Sequence, residues 1–484
     1  MADLIGIGLI VATALVFALA GVLYTKGKKL SIEDYTTARR SVNLWTAVAS
    51  LIAASMGAWI LFSPAEAAAT NGITALIGYA IGSASAVFIF AWIGARIRSL
   101  MPEGHTITEY VFHRYGNWMY TLVLLITVFY MSVFLTAELT GISLAAKMVF
   151  SIPLVYTAFI VGVTTLAYTA IGGFKASIFT DRIQTMVIMP LIAVIFLSSL
   201  AFLGGFDKIV GEANSINPNL FDFSYVPGIE FALTLIIAIV GAELFNQSNW
   251  QRVYSPKTMD TMKGSFLIAG FLVAIIIFTV GFFGFFAVAH NAAENPSVAM
   301  FTFLLEVAPR WVLLTAMVLG IALIVSTSNA LLNGLVSLFT IDLARLKPKV
   351  SHKSLVGIGR WFTVVLAGMA ILVSTKGYSV LYLFLVADLV CVGAAFPVFY
   401  GMFAKRFSGK GALMASMAGI IMGAYFFPNP SFTASVIPFS SYFSLFWSFL
   451  AALIASLIFS VFLGLFGKRF DFGVLKKKVT ALSK

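Results

Sequence analysis

Charge, cysteine and histidine are all scarce in this chain of 484 residues. Asp, Glu, Lys and Arg make up only 10% of it, against 60% hydrophobic residues and a mean hydropathy of +1.00. Soluble domains carry roughly 25% charged residues. Nothing this apolar can cover a core with a polar surface, which excludes a soluble enzyme or a nucleic-acid binder. The one cysteine, Cys391, lies inside an apolar run, so an intrachain disulfide is impossible. The four histidines are scattered, and no HExxH, CxxC or GxSxG motif occurs. A metal enzyme and an intramembrane hydrolase therefore find no support.

Long hydrophobic runs fill the chain instead. A membrane-spanning helix needs about 20 mostly apolar residues. Thirteen such runs occur, near 4–25, 44–71, 74–97, 117–147, 153–172, 180–205, 229–247, 262–289, 309–343, 355–375, 377–400, 411–427 and 441–467. They are numbered spans 1 to 13. The longer ones predict tilt, kinks or extension beyond the bilayer. The cations test this count, because a missed helix would swap sides from that point onward. Of the 31 lysines and arginines, 27 follow odd-numbered spans or lie in the C-terminal segment, leaving Lys147, Lys208, Arg310 and Lys376 on the other side. The positive-inside rule then predicts a multi-pass plasma-membrane protein with its N-terminus outside and its C-terminus in the cytoplasm. The net charge of +12 needs no nucleic-acid partner to explain it; the lipid bilayer is the partner. Span 1 offers a small-residue site at Ala18-Leu19-Ala20, but Met1-Ala2-Asp3 has no basic n-region, so it reads as a retained helix. The connection 206–228 carries Ile216-Asn217-Pro218-Asn219 and reads as a cap on the outer face.

Two spans look interrupted. Span 2 crowds Ala53, Ala54, Ser55, Met56 and Gly57 into its middle, with Ser63-Pro64 following. Small residues there permit close helix packing. They also suit a discontinuous helix, whose freed carbonyls can coordinate a desolvated cation at the bilayer midplane. Span 7 ends comparably, in Gly241-Ala242-Glu243-Leu244-Phe245-Asn246-Gln247. The two breaks lie five spans apart, as in proteins whose paired inverted five-helix repeats each begin with a broken helix. Spans 2–6 and 7–11 would be the repeats, with spans 1, 12 and 13 peripheral. Span 9 carries Ser326-Thr327-Ser328-Asn329. Hydroxyls in membrane helices usually bond back to a carbonyl one turn earlier. Three hydroxyls and an amide in four residues also suit a hard cation such as sodium, facing the break in span 2.

The run Tyr168–Gln184, YTAIGGFKASIFTDRIQ, resembles the signature of the sodium:solute symporter family. The stretch from Arg40 to Trp59 resembles that family's first core helix and Ser326-Thr327 its eighth, and the resemblance extends over about residues 1–470. It implies an all-α integral membrane protein with about 13 transmembrane helices and a leucine-transporter-type 5+5 inverted-repeat core. Residues 1–43 would form a peripheral helix and cytoplasmic loop, 44–205 the first repeat, 206–400 the outer loop and second repeat, and 401–484 two peripheral helices and a basic tail. The resemblance implies a main sodium site from the carbonyls of Ala53, Met56 and Leu323 with the hydroxyls of Ser326 and Thr327. Some members bind a second sodium through the aspartate that aligns with Asp181 and two serines. Asn329 and Ala330 stand at those serine positions, so only Asn329 offers a side-chain oxygen. A salt bridge from Asp181 to Arg182 or Lys175 is the alternative. The segments Pro102–Tyr110 and Arg114-Tyr115-Gly116 are similar to the urea and polyamine branch.

Four acidic residues lie within spans, Glu66, Glu138, Glu243 and Asp388, whereas no lysine or arginine lies deep in one. A carboxylate in hydrocarbon costs several kcal/mol, so each must face a cavity, a partner or a pathway. Glu138, Glu243 and Asp388, with Ser55, Trp59, Asn246 and Gln247, are the candidate solute contacts. They suit a small polar solute that is neutral and donor-rich, zwitterionic or cationic, such as urea, proline or a polyamine. Trp59, Tyr79, Tyr130 and Trp250 are aromatic candidates for a gate or a cation–π contact. The expected activity is sodium-coupled symport by alternating access. A sodium-independent facilitator of the same fold is the competing reading, and the intact hydroxyl pair opposes it.

Overall fold

The computed structural model describes residues 4–26, 31–346, 352–437, 442–467 and 469–479. Lys28, Lys29, Lys347, Lys349, Lys468 and Lys484, all counted in the charge pattern, lie outside the described residues. Among those residues every apolar run is helical, and β-structure is limited to two isolated bridges, Val42 with Pro256 and Pro428 with Ser435. Ten helices are long and apolar enough to cross a membrane by length and composition. The three runs outside that set have local reasons. Span 2 is broken after helix Leu44–Ser55, the apolar part of span 5 stops at Ala167, and Gly409–Phe426 is diluted by Lys410 and four glycines.

Two further boundaries are set by glycine. Ser63–Phe88 and Leu154–Leu203 are each two helices joined at a residue with positive φ, Gly72 (φ 78°) and Gly173 (φ 60°). Only glycine takes that backbone without strain. A β-carbon at position 72 would also press on the Leu220 carbonyl, and one at 173 on the Tyr35 ring. These hinges end spans 2 and 5 within two residues of where hydropathy placed the ends.

The connections that follow odd-numbered spans gather on one face. Arg39 donates to the carbonyls of Pro102, Glu103 and Gly104, and Arg98 to those of Val253 and Pro256. Arg114 donates to the Gly401 and Ala404 carbonyls, and Lys175 pairs with Asp34 at 2.8 Å. The loops after spans 1, 3, 7 and 11 are thus stitched together by arginine-to-backbone bonds, and the loop after span 5 joins them through the Lys175–Asp34 ion pair. Connections after even-numbered spans meet on the opposite face, where Glu66 accepts hydrogen bonds from Ser297 and Ser379. Most of the span 9 and span 11 windows is buried, 78% in each, against 28% for span 1 and 28% for span 13. Span 10, only 22% buried, is as exposed to lipid as the peripheral helices although it falls within the expected second repeat.

Candidate ion and solute site

Span 2 breaks because its hydrogen-bond donors are taken elsewhere. In an unbroken helix the N–H groups of Ala58, Trp59 and Ile60 would bond the carbonyls of Ala54, Ser55 and Met56. Instead, Ala58 N–H donates to Glu138 Oε2 at 2.7 Å, Trp59 N–H to Glu138 Oε1 at 3.5 Å, and Ile60 N–H to the Gly57 carbonyl at 3.2 Å. Met56 is extended (φ −95°, ψ 96°), and a short 3₁₀ turn, Ala58–Leu61, follows before the chain continues as helix. The Ser55 carbonyl accepts the Trp59 indole N–H at 3.3 Å. Carbonyls between Ala53 and Met56 are thereby released from the helical ladder, deep inside the protein.

Span 9 faces this gap. Thr327 Oγ1 donates to the Ala53 carbonyl at 3.4 Å, and Ser326 Oγ donates to Asp181 Oδ1 at 3.2 Å. Leu323, one turn earlier, is fully buried, as are Ser326 and Thr327. The five oxygens assigned to sodium thus come from two segments held in contact, all neutral, and a hydroxyl that donates to a neighbour keeps lone pairs for a cation. The donor set fits sodium.

Asp181 lies at the rim of the same region and carries its own partner. Arg252 Nη2 is 2.8 Å from Asp181 Oδ2, and the Ser50 hydroxyl donates to that oxygen at 2.7 Å. Asn329 Oδ1 accepts from Thr169 and Asn333, while its amide donates to Ser177. Both groups proposed for a second ion are saturated by protein.

Beside the break lies a narrow chamber, with a free volume of about 30 Å³ in this conformation, lined by Trp59, Tyr79, Tyr130, Phe134 and Phe384 together with Glu243 and Asp388. Trp59 stacks on Tyr79 with ring centroids 5.8 Å apart. Glu243 accepts from Tyr130 Oη at 2.8 Å, Asn249 Nδ2 at 2.7 Å and Asn246 Nδ2 at 3.1 Å. The Asp388 side chain makes no hydrogen bond or ion pair with a described residue and lines the chamber. Leu381 and Leu385 separate this space from a second cavity of about 320 Å³ that holds Glu66, Ser379 and Tyr382.

The family model of the sodium:solute symporter family matches residues 35–419. This chain belongs to that family. As a sodium:solute symporter family member it is a transporter and not an enzyme. Its relatives include the spermidine transporter DUR31 of Candida albicans, 25% identical over 420 residues, covering 85% of this chain and 78% of that protein. The sodium/glucose cotransporter of Vibrio parahaemolyticus is 27% identical over 440 residues, covering 82% of this chain and 79% of its own. The sodium/proline symporter of Haemophilus influenzae is 28% identical over 425 residues, covering 81% and 82%. Among solved structures, a substrate-bound, outward-open Na⁺-coupled sialic acid symporter superposes with a TM-score of 0.76 at 18% identity, covering 96% of this chain and 99% of that one. MhsT in complex with L-phenylalanine gives a TM-score of 0.55 at 14% identity, covering 88% and 99%. These likenesses establish the leucine-transporter-type fold.

Within this family member the expected solute contacts part company. Trp59, Glu243 and Asp388 line the chamber, whereas Ser55, Glu138, Asn246 and Gln247 do not. Ser55 contributes a carbonyl to Trp59, and Glu138 caps the broken helix. Asn246 spends its amide on Glu243 and its oxygen on Ser248. Gln247 is turned toward the loop after span 3, donating to the His105 carbonyl and accepting from Ile107 N–H. Trp250 is packing rather than gate: it lies fully buried against Phe90 and Phe399. Arg252 corrects a second expectation. Sequence placed it in a connection, yet it is 2% exposed, because helix Gln247–Tyr254 continues span 7 inward past its break. The partner of Asp181 is therefore neither Arg182 nor Lys175. Ser50, Asn249 and Arg252 are partners of the buried acids that neither hydropathy nor the family motif singles out; the signal for the last two is their spacing of three, which puts them on neighbouring positions of a helix.

Proposed function

We propose that this chain is a sodium-coupled symporter that imports a small polar organic solute, rich in N–H donors or positively charged, across the plasma membrane by alternating access. The observation that carries the reading is the 3.4 Å approach of the Thr327 hydroxyl to the Ala53 carbonyl across the break. Sodium entering from outside would be held by the Ala53, Met56 and Leu323 carbonyls with the Ser326 and Thr327 hydroxyls, bridging spans 2 and 9. Binding that favours the solute-competent conformation obliges ion and solute to raise each other's affinity. The saturated state of Asp181 and Asn329 favours one sodium per cycle. That ion gains about 2.3 kcal/mol across 100 mV and about 1.4 kcal/mol from a tenfold gradient, enough for a few-hundred-fold accumulation of a neutral solute. Residues 44–205 and 206–400 serve as the two repeats, with the arginine-stitched loops on the cytoplasmic side and the N-terminus outside.

The solute site is the chamber. Two carboxylates, five aromatic side chains and no lysine or arginine line it, which suits N–H donors and cations. Similarity to a spermidine transporter agrees with that chemistry. Uptake in proteoliposomes tests the whole: the variant Ser326→Ala with Thr327→Ala should lose sodium-stimulated uptake while remaining in the membrane. Sodium dependence unchanged in that variant would refute the site, and uptake that never exceeds the solute gradient would establish a facilitator instead.

A further inference from the structure

The break in span 2 releases donors as well as acceptors, and the chain supplies its own acceptor to them. Both oxygens of the Glu138 carboxylate face the N–H groups of Ala58 and Trp59, at 2.7 and 3.5 Å, and Glu138 is wholly buried. The fit leaves no spare room, since a β-carbon at position 57 would overlap the carboxylate. In broken-helix transporters, freed N–H groups of this kind hold the carboxylate of an amino-acid solute. Trp59 connects the two features: its backbone N–H faces Glu138 while its ring lines the chamber. Phe134, one helical turn before Glu138, lines the chamber too.

We propose that Glu138 is a specificity-determining residue: its own carboxylate occupies the backbone donors that an amino-acid solute would need, reserving the chamber for amines that lack a carboxylate. The inference rests on the symport reading above and narrows its solute class. A carboxylate brought into the chamber would meet Asp388 and Glu243, with Glu138 already seated on the adjacent donors and no lysine or arginine lining the walls. An ammonium group there meets the Asp388 side chain and the aromatic side chains of Trp59 and Tyr130. A solute carboxylate there finds no cation and no unoccupied backbone donor, and a desolvated, unpaired charge costs several kcal/mol, so discrimination of about a hundredfold or more follows.

The test uses amine and amino-acid pairs that differ by one carboxylate: putrescine with ornithine, cadaverine with lysine, agmatine with arginine. Full-length protein in proteoliposomes, driven by a sodium gradient, takes up labelled putrescine while each compound competes. In the unaltered protein the carboxylate-free member of each pair should compete about a hundredfold or more better. Glu138→Gln, which keeps size and one acceptor, should shrink that ratio about tenfold or more with little change in sodium half-saturation. Equal competition by ornithine and putrescine in the unaltered protein overturns the inference and leaves sodium symport standing, as does sodium-driven uptake confined to carboxylated solutes such as proline. A ratio that Glu138→Gln leaves unchanged removes the role from Glu138. No sodium-driven uptake of any of these solutes, proline included, overturns the symport reading and this inference with it.

Discussion

The Arg252 guanidinium sits 2.8 Å from the Asp181 carboxylate, with both side chains almost completely buried. The same guanidinium donates to the Ser50 carbonyl and hydroxyl and to the Ser248 carbonyl. Through it, spans 2, 6 and 7 are tied together, and span 9 joins by way of Ser326. Removing one member of a buried pair strands the other charge and costs about 3–5 kcal/mol. Arg252→Met should therefore lower the thermal stability of the detergent-solubilised protein sharply. Combining it with Asp181→Asn should restore part of that loss, since the stranded carboxylate is then gone. A double variant whose loss equals the sum of the losses in Arg252→Met and Asp181→Asn measured singly would show that the two residues are not energetically coupled.

Thr327 offers a finer probe of the ion site than the double alanine variant. Thr327→Val keeps shape and β-branching while deleting the oxygen. Loss of one hydrogen-bonding group to a charge is worth about 1.5–3 kcal/mol, so sodium half-saturation of uptake should rise about tenfold to a hundredfold. Thr327→Ser, which keeps the oxygen, should stay close to the unaltered protein. A sodium titration of uptake rates reads both.

The contrast between these residues and the solute contacts shows what a linear sequence carries. The spans and the grouping of loops on two faces were legible because each is a local property: hydropathy over twenty residues and cations after alternate helices. The approach of Thr327 to the Ala53 carbonyl was legible because two short segments carry it, the small residues of span 2 and the hydroxyls of span 9. Side-chain direction was not. Glu138 reads as a cavity acid until the backbone of span 2 turns toward it, and Gln247 reads as a solute ligand until the loop at His105 claims its amide. Arg252 illustrates the same limit from the other side, since a broken helix carries a charged residue inward that hydropathy assigns to water.

His105 anchors a charged cluster outside the membrane. Its Nε2 is 2.7 Å from Glu33 and its Nδ1 3.5 Å from Glu109, with the ring wholly buried. Burial alone would lower its pKa, but the charges and hydrogen bonds of Glu109 and Glu33 more than offset this and raise it to about 9. Burial likewise works to raise Glu33, and His105 and Arg39 more than offset it, taking it down to about 2. A raised histidine contributes stability in full below its ordinary value of 6.5 and loses it as pH climbs through 9. The lowered Glu33 contributes in full above 4.5 and loses its share as pH falls through 2. The joint contribution is complete between those two ordinary values. Thermal stability should decline from pH 6.5 toward 9, and His105→Gln should flatten that decline while lowering stability at pH 6.

Gly57 is the position where one methyl group tests the architecture of the break. A β-carbon there would overlap the Glu138 carboxylate, which lies between spans 2 and 4 with no exposed face to retreat to. Either the carboxylate leaves the Ala58 and Trp59 N–H groups or the backbone shifts, and overpacking of this kind costs about 1–3 kcal/mol. Both responses disturb Trp59, whose ring is part of the solute chamber and packs on Tyr79 and Phe384. Gly57→Ala should therefore reduce uptake by about tenfold or more while the protein still reaches the membrane. Its cause is steric, so shortening the opposing side chain should relieve it: Gly57→Ala combined with Glu138→Ala should recover stability that Gly57→Ala alone has lost. If the single variant transports normally, Glu138 does not hold the two halves of span 2 in register. If the double variant is worse than either single change, the clash with the Glu138 carboxylate is not what the methyl group introduces.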